Sequence, residues 1–144
     1  MEKDFLSTED LFRLIQSSPK SFESMVENNE ILDKEPGFCE TLNNFFTSHN
    51  VTVQQVIIET VLSKSYVYQV LSGERKPGRD IIIKIALAAN LSLDETQHLL
   101  MLGEKGILYP KVKRDAVIMS SILRNRTVAE THDFLLSLGE KGLL

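Results

Sequence analysis

Apolar residues return every three or four positions along this chain, and nowhere do they alternate with the period of two that marks a strand. The pattern predicts an all-helical protein. A first helix is expected over 8–17, with Leu11, Phe12, Leu14 and Ile15 as its stripe, followed by Pro19. A second is expected over 21–29 with Phe22, Met25 and Val26 on one side, then turn chemistry over 33–37. Residues 38–49 form the next helix, with Leu42, Phe45 and Phe46 inward.

The signals sharpen at Thr52. Thr52 and Gln55 have the spacing of a capping box, and Val51 and Val56 are placed to staple it. That helix runs to about Thr60. Ser63 is a good N-cap for the next, and Gly73 can adopt the left-handed conformation that ends it. Asp80 favours a further helix start, and Asn90 its end. Ser92 and Glu95 make another capping box, with a helix to about Leu102.

Part of the chain is then repeated. Shifted by 35 residues, RDIIIKIALAANLSLDETQHLL falls on RDAVIMSSILRNRTVAETHDFL. Arg79 and Asp80 meet Arg114 and Asp115, Asn90 meets Asn125, and Ser92 meets Thr127, which keeps the capping box. After a one-residue slip, LGEKG at 102–106 recurs at 138–142, each time before an apolar pair, and reads as a helix terminator. Two related helix pairs in sequence are expected.

Composition narrows the function. A chain of 144 residues with 42% apolar content can bury a real core. No basic head precedes an apolar stretch at the N-terminus, and the longest apolar window, 81–89, is interrupted by Lys84. Neither a signal peptide nor a membrane span is expected, and the reading is a soluble, cytoplasmic protein. The single cysteine, Cys39, excludes an internal disulfide. His49, His98 and His132 are scattered, and no metal-ligand spacing or phosphate-cradling glycine loop occurs, so no enzyme, metal or cofactor is expected.

The net charge of −4 counts against binding a polyanion, but its distribution changes that. Residues 1–40 hold ten acids and four bases, leaving −6, while residues 41–144 are +2. The bases of the body fall in two groups: Lys64, Arg75, Lys76, Arg79 and Lys84, then Lys111, Lys113, Arg114, Arg124 and Arg126. Lys111, Lys113 and Arg114 are expected to sit in a solvated linker between the repeats.

Over 52–77 the pattern is that of two short helices with a tight turn, a helix-turn-helix. Val67, Val70 and Leu71 should face inward, and Lys64, Ser65, Tyr66, Tyr68 and Gln69 outward. Lysine can donate to guanine, glutamine can pair with an adenine edge, and serine suits bases or phosphates.

Residues from about 40 to 103 resemble the bacterial and phage-repressor helix-turn-helix family related to Cro, the xenobiotic-response-element type. Thr52, Val56, Ile57, Ser63, Lys64, Ser65, Val67, Val70, Gly73, Arg75, Lys76 and Pro77 carry the resemblance, with Ile85, Ala86 and Leu93 after them. The longer block SYVYQVLSGERKPGRD, with ETQHLL and LYPKVKRDAVI, is similar to bacterial regulators that add a further helical unit. The resemblance implies a five-helix repressor-like domain. It also implies base contacts from Lys64, Ser65 and Gln69 with Tyr66 beside them, and phosphate contacts from Thr52, Ser72, Arg75 and Lys76. Three positions depart from the family: Val53 stands where many members have glutamine, Val61 where many have glycine, and Ile57 where a small alanine is usual.

The expected organisation is an acidic N-terminal helical arm (1–37), a helix-turn-helix domain (38–108) and a C-terminal helical extension (109–144) repeating 79–108. The expected function is sequence-specific binding of double-stranded DNA in transcription regulation, with a recognition helix over 63–72. The alternative is a protein–protein interaction module that keeps the fold without DNA. A homodimer and a protein partner through the acidic arm or the C-terminal helices are the other partners considered.

Overall fold

The computed structural model describes residues 8–27 and 36–144. The described residues are all-helical, with no strand. The chain divides into two units, Met1–Pro36 and Gly37–Leu144.

In the first unit, α1 (Thr8–Ser17) and α2 (Pro19–Glu27) pack on each other. Glu9 and Asp10 in the first turn of α1 complement its dipole. Pro19 opens α2 rather than separating two helices. At the first helical position a missing N–H costs nothing, and the ring presets φ. Phe22 and Val26 are half-buried, whereas Phe12 is exposed. The turn expected over 33–37 falls mostly outside the described residues, as do the side chains of Leu11 and Met25.

The second unit contains α3 (Phe38–Ser48), α4 (Val53–Thr60), α5 (Lys64–Ser72), α6 (Arg79–Ala88), α7 (Leu93–Leu102), α8 (Lys113–Leu123) and α9 (Val128–Ser137). Helix α6 is its axis: every residue of 82–89 is buried, Lys84 included. A helix apolar on nearly all sides must be surrounded, and α6 packs on α4, α7 and α9. Helix α3 lies on α5 and α7, placing Leu42, Phe46, Val56, Val67 and Val70 in one core with Ile82, Ile83 and Leu99.

The caps explain the element boundaries. Thr52, Ser92 and Thr127 each accept from the backbone N–H three residues on, while the side chains of Gln55, Glu95 and Glu130 return the bond. Each box follows an asparagine in the left-handed region: Asn50, Asn90 and Asn125, at φ 53–54°. The residue after each asparagine donates to a carbonyl five positions back, to Phe46, Ala86 and Ser121. That is the Schellman closure. One joint, Asn-x-Ser/Thr-x-x-Gln/Glu, therefore ends one helix and starts the next at three places.

The repeat is realised as a reciprocal pair of helix hairpins. Arg79 donates from Nη1 and Nη2 to the Asp115 carboxylate at 3.0 and 2.8 Å, and Arg114 does the same to Asp80 at 3.0 and 3.1 Å. Each arginine also ties down the tail of its own hairpin: Arg79 the carbonyls of Gly106 and Ile107, Arg114 those of Lys141 and Gly142. Helix α6 packs on α9 and α7 on α8, as an approximate two-fold exchange requires.

The 35-residue register holds to the end of both tails. Leu108 N–H donates to Gln97 Oε1, and Leu143 N–H to His132 Nδ1. The left-handed residues closing α7 and α9 are Glu104 and Gly139, also 35 apart. The two LGEKG segments, 36 apart, are thus out of phase with the structure. Gly103 has an ordinary φ and is small because a Cβ there would lie 2.9 Å from Ile82 Cδ1, whereas Gly139 supplies the positive φ.

Candidate nucleic-acid interface

Helices α4 and α5 are joined by Val61, Leu62 and Ser63. Ser63 Oγ accepts from Tyr66 N–H and caps α5; Gly73, at φ 89°, ends it. Val67 and Val70 are buried against the core, which turns Lys64, Ser65, Tyr68 and Ser72 to solvent and leaves Tyr66, Gln69 and Leu71 half-buried. Lys64, Ser65 and Tyr68 face outward as the helical period predicts, whereas Tyr66 and Gln69, expected outward, and Leu71, expected inward, are each half-buried.

Lys64 stands in the first turn of α5 and makes no hydrogen bond or ion pair with the described residues. Thr52 Oγ1 accepts from Gln55 N–H at 3.2 Å, so its lone pair serves the cap while its proton remains available. Ser72 Oγ donates to the Gln69 carbonyl at 3.2 Å. Beyond Gly73 the chain turns back over the helix end. Arg75 Nε–H donates to Gln69 Oε1 at 3.2 Å, and its guanidinium carbon lies 5.6 Å from the Tyr66 ring centroid. The side chains of Tyr66, Gln69 and Arg75 therefore form one cluster, with Ser72 bonded to the Gln69 backbone; among the described residues no side-chain hydrogen bond or ring contact joins Lys64, Ser65 or Thr52 to it.

Lys76 lines a cleft of about 480 Å³ with Arg75, Pro77, Phe38, Glu40 and Gly103. Cys39 also lines it, with Sγ 3.5 Å from the Val70 carbonyl.

Tertiary structure decides which cations are available. Arg79 and Arg114 are held by carboxylates and carbonyls. Lys84 is 9% exposed, and burial lowers its pKa against the opposing pull of Asp80. Lys113 donates to the Leu138 carbonyl at 2.8 Å, and Arg126 lies 4.5 Å from the Phe134 ring centroid. Lys113 and Arg114 are not part of a solvated linker: they open α8 and fasten it to the C-terminal tail. Around α5, Lys64 and Lys76 are exposed, and Arg75, also exposed, is engaged by Gln69 and Tyr66.

Val53, Ile57 and Val61 each have a structural consequence. Val53 and Ile57 are half-buried and pack on the core. Val61 takes φ 61° and is 76% exposed, beside Ile58 at 70%. Neither the left-handed conformation nor the exposure suits a β-branched side chain. Among the described residues no group of three His, Cys, Asp or Glu could hold a metal ion, and no helix is long and apolar enough to cross a membrane. Comparison with protein-family models, with curated proteins and with solved structures finds no match.

Proposed function

We propose that α4 and α5 form a helix-turn-helix and that the chain is a sequence-specific DNA-binding transcriptional regulator, with α5 entering the major groove. The observation that carries this reading is the layout of α5. Its buried side is apolar, while its outward side presents Lys64 and Ser65, with Gln69 half-buried beside them and Arg75 and Lys76 where the chain leaves the helix. Two exposed helix starts, capped by Thr52 and Ser63, supply backbone N–H groups suited to phosphates. The binding is non-covalent and needs no cofactor.

The test is a gel shift against genomic fragments over a range of salt. A specific complex should survive competitor DNA and weaken by a log–log slope of about 0.9 per phosphate neutralised. Lys64→Ala should relax preference at one base pair by about 1–3 kcal/mol. No retardation at low salt sinks the reading.

One observation favours a second reading, a protein-interaction module that keeps the fold without DNA: Ile58 and Val61 expose apolar surface at the end of α4. That reading expects no salt-dependent DNA affinity and loss of a protein partner on Ile58→Glu.

A further inference from the structure

Arg75 lies three residues beyond the end of α5 and is exposed, yet it folds back onto the helix. Its backbone N–H donates to the Gln69 carbonyl at 3.2 Å, and its Nε–H donates to Gln69 Oε1 at the same distance. Its guanidinium lies over the Tyr66 ring, itself half-buried against the core. A guanidinium can only donate, so the amide atom facing it must be oxygen. This removes the ambiguity of a glutamine, whose oxygen and nitrogen ends exchange by a half-turn about the terminal bond. With Oε1 turned to Arg75, the two Nε2 protons and the second Oε1 lone pair remain for a ligand.

We propose, resting on the DNA-binding reading above, that Arg75 is a positioning residue for base recognition. It acts through Gln69, with Tyr66 as the platform that holds the guanidinium. Selectivity at the base pair read by Gln69 then depends on Arg75, although Arg75 itself touches no base. The physical gain is preorganisation: the amide is oriented before DNA arrives, so less side-chain freedom is lost on binding. This differs from the phosphate contact implied for Arg75 by family resemblance. A phosphate contact adds affinity equally on all sequences, whereas a positioning role adds discrimination at one.

The experiment uses the full chain, a duplex selected from random DNA, and its three variants at the base pair whose preference Gln69→Ala abolishes. Wild type, Arg75→Ala, Arg75→Lys, Gln69→Ala and the Arg75/Gln69 double variant are titrated at two salt concentrations. Arg75→Ala is expected to lose discrimination among the four duplexes by roughly five-fold or more, the size of a coupling between residues in contact. The double variant should discriminate no worse than Gln69→Ala alone. Arg75→Lys, which keeps the charge and a donor but not the planar fork, should restore part of the preference.

The proposal is overturned, with the functional reading intact, if Arg75→Ala weakens all four duplexes equally and lowers the salt slope by about one phosphate. It is also overturned if the two single losses add fully in the double variant. Wild-type protein that retards none of the duplexes overturns the functional reading and this proposal together.

Discussion

At the residue scale, Val61 shows most clearly how one side chain can oppose its own backbone. It closes α4 at φ 61° with its N–H bonded to the Ile57 carbonyl, and its side chain buries almost nothing. The left-handed region costs an ordinary residue about 1–2 kcal/mol, and a β-branched one is the least suited to it. Glycine would relieve that strain but add freedom to the unfolded chain, worth about 0.4–1 kcal/mol. Val61→Gly is therefore expected to raise stability by about 1 kcal/mol, read as a higher denaturant midpoint at unchanged slope. A lower midpoint would show that the exposed valine makes contacts that outweigh its strain. Gln69 and Arg75 illustrate the converse case, two residues whose roles only their contact reveals.

At the element scale, the unit is a joint rather than a helix. Asn50, Asn90 and Asn125 close α3, α6 and α8, and two residues later a threonine or serine caps the next helix. Asparagine tolerates the left-handed region because its short polar side chain can bond locally. Asn90 is exposed, so substitution there tests the backbone rather than packing. Asn90→Val is expected to cost about 1–2 kcal/mol and Asn90→Gly close to nothing, compared by urea denaturation. Equal losses would mean that the amide, not the φ angle, matters. The joint also makes a tertiary contact: Glu95, the carboxylate of the second box, lies 2.9 Å from His49 Nε2 at the end of α3.

At the scale of the whole molecule, the two hairpins are locked by exchanged Arg–Asp pairs. Asp115 is 5% exposed and accepts from Arg79 and from Tyr109 N–H. Burial pushes its carboxyl up. The hydrogen bonds from Arg79 and Tyr109, with the charges of Arg79 and Arg114, outweigh that and hold it below the ordinary range. A depressed folded-state pKa contributes stability that is fully present above the unfolded value, near 3.9, and is lost as pH falls through the folded value. Stability should therefore drop below about pH 4, with Asp115→Asn flattening part of that acid limb in denaturation curves. Asp115→Ala should cost about 2–4 kcal/mol at neutral pH, because Arg79 would keep its burial and lose its partner; Arg79 is 28% exposed, which places the effect at the lower end for a buried pair.

Much of this fold is legible in the chain because caps and terminators act over three to six residues. Thr52, Ser63, Ser92 and Thr127 cap helices where their spacing predicts, and Gly73 ends α5. The apolar period of α5 likewise places Val67 and Val70 inward, and with them Lys64 and Ser65 outward. What local spacing does not carry is the fate of a charge. Arg79, Lys84 and Arg114 read as basic surface, yet two are held by partners 34 to 36 residues away and the third is buried on the central helix. The recurrence of LGEKG points to a 36-residue phase, while Leu108 and Leu143, bonded alike by Gln97 and His132, keep 35. Hydrogen bonds within a turn depend on neighbours in sequence, so the chain alone determined the capped helix starts of the second unit, though not the start of α2, which Pro19 opens two residues before the expected position. Which cations remain free, how the repeats interlock and how Arg75 meets Gln69 depend on groups brought together by burial of the core, and only the tertiary structure decided them.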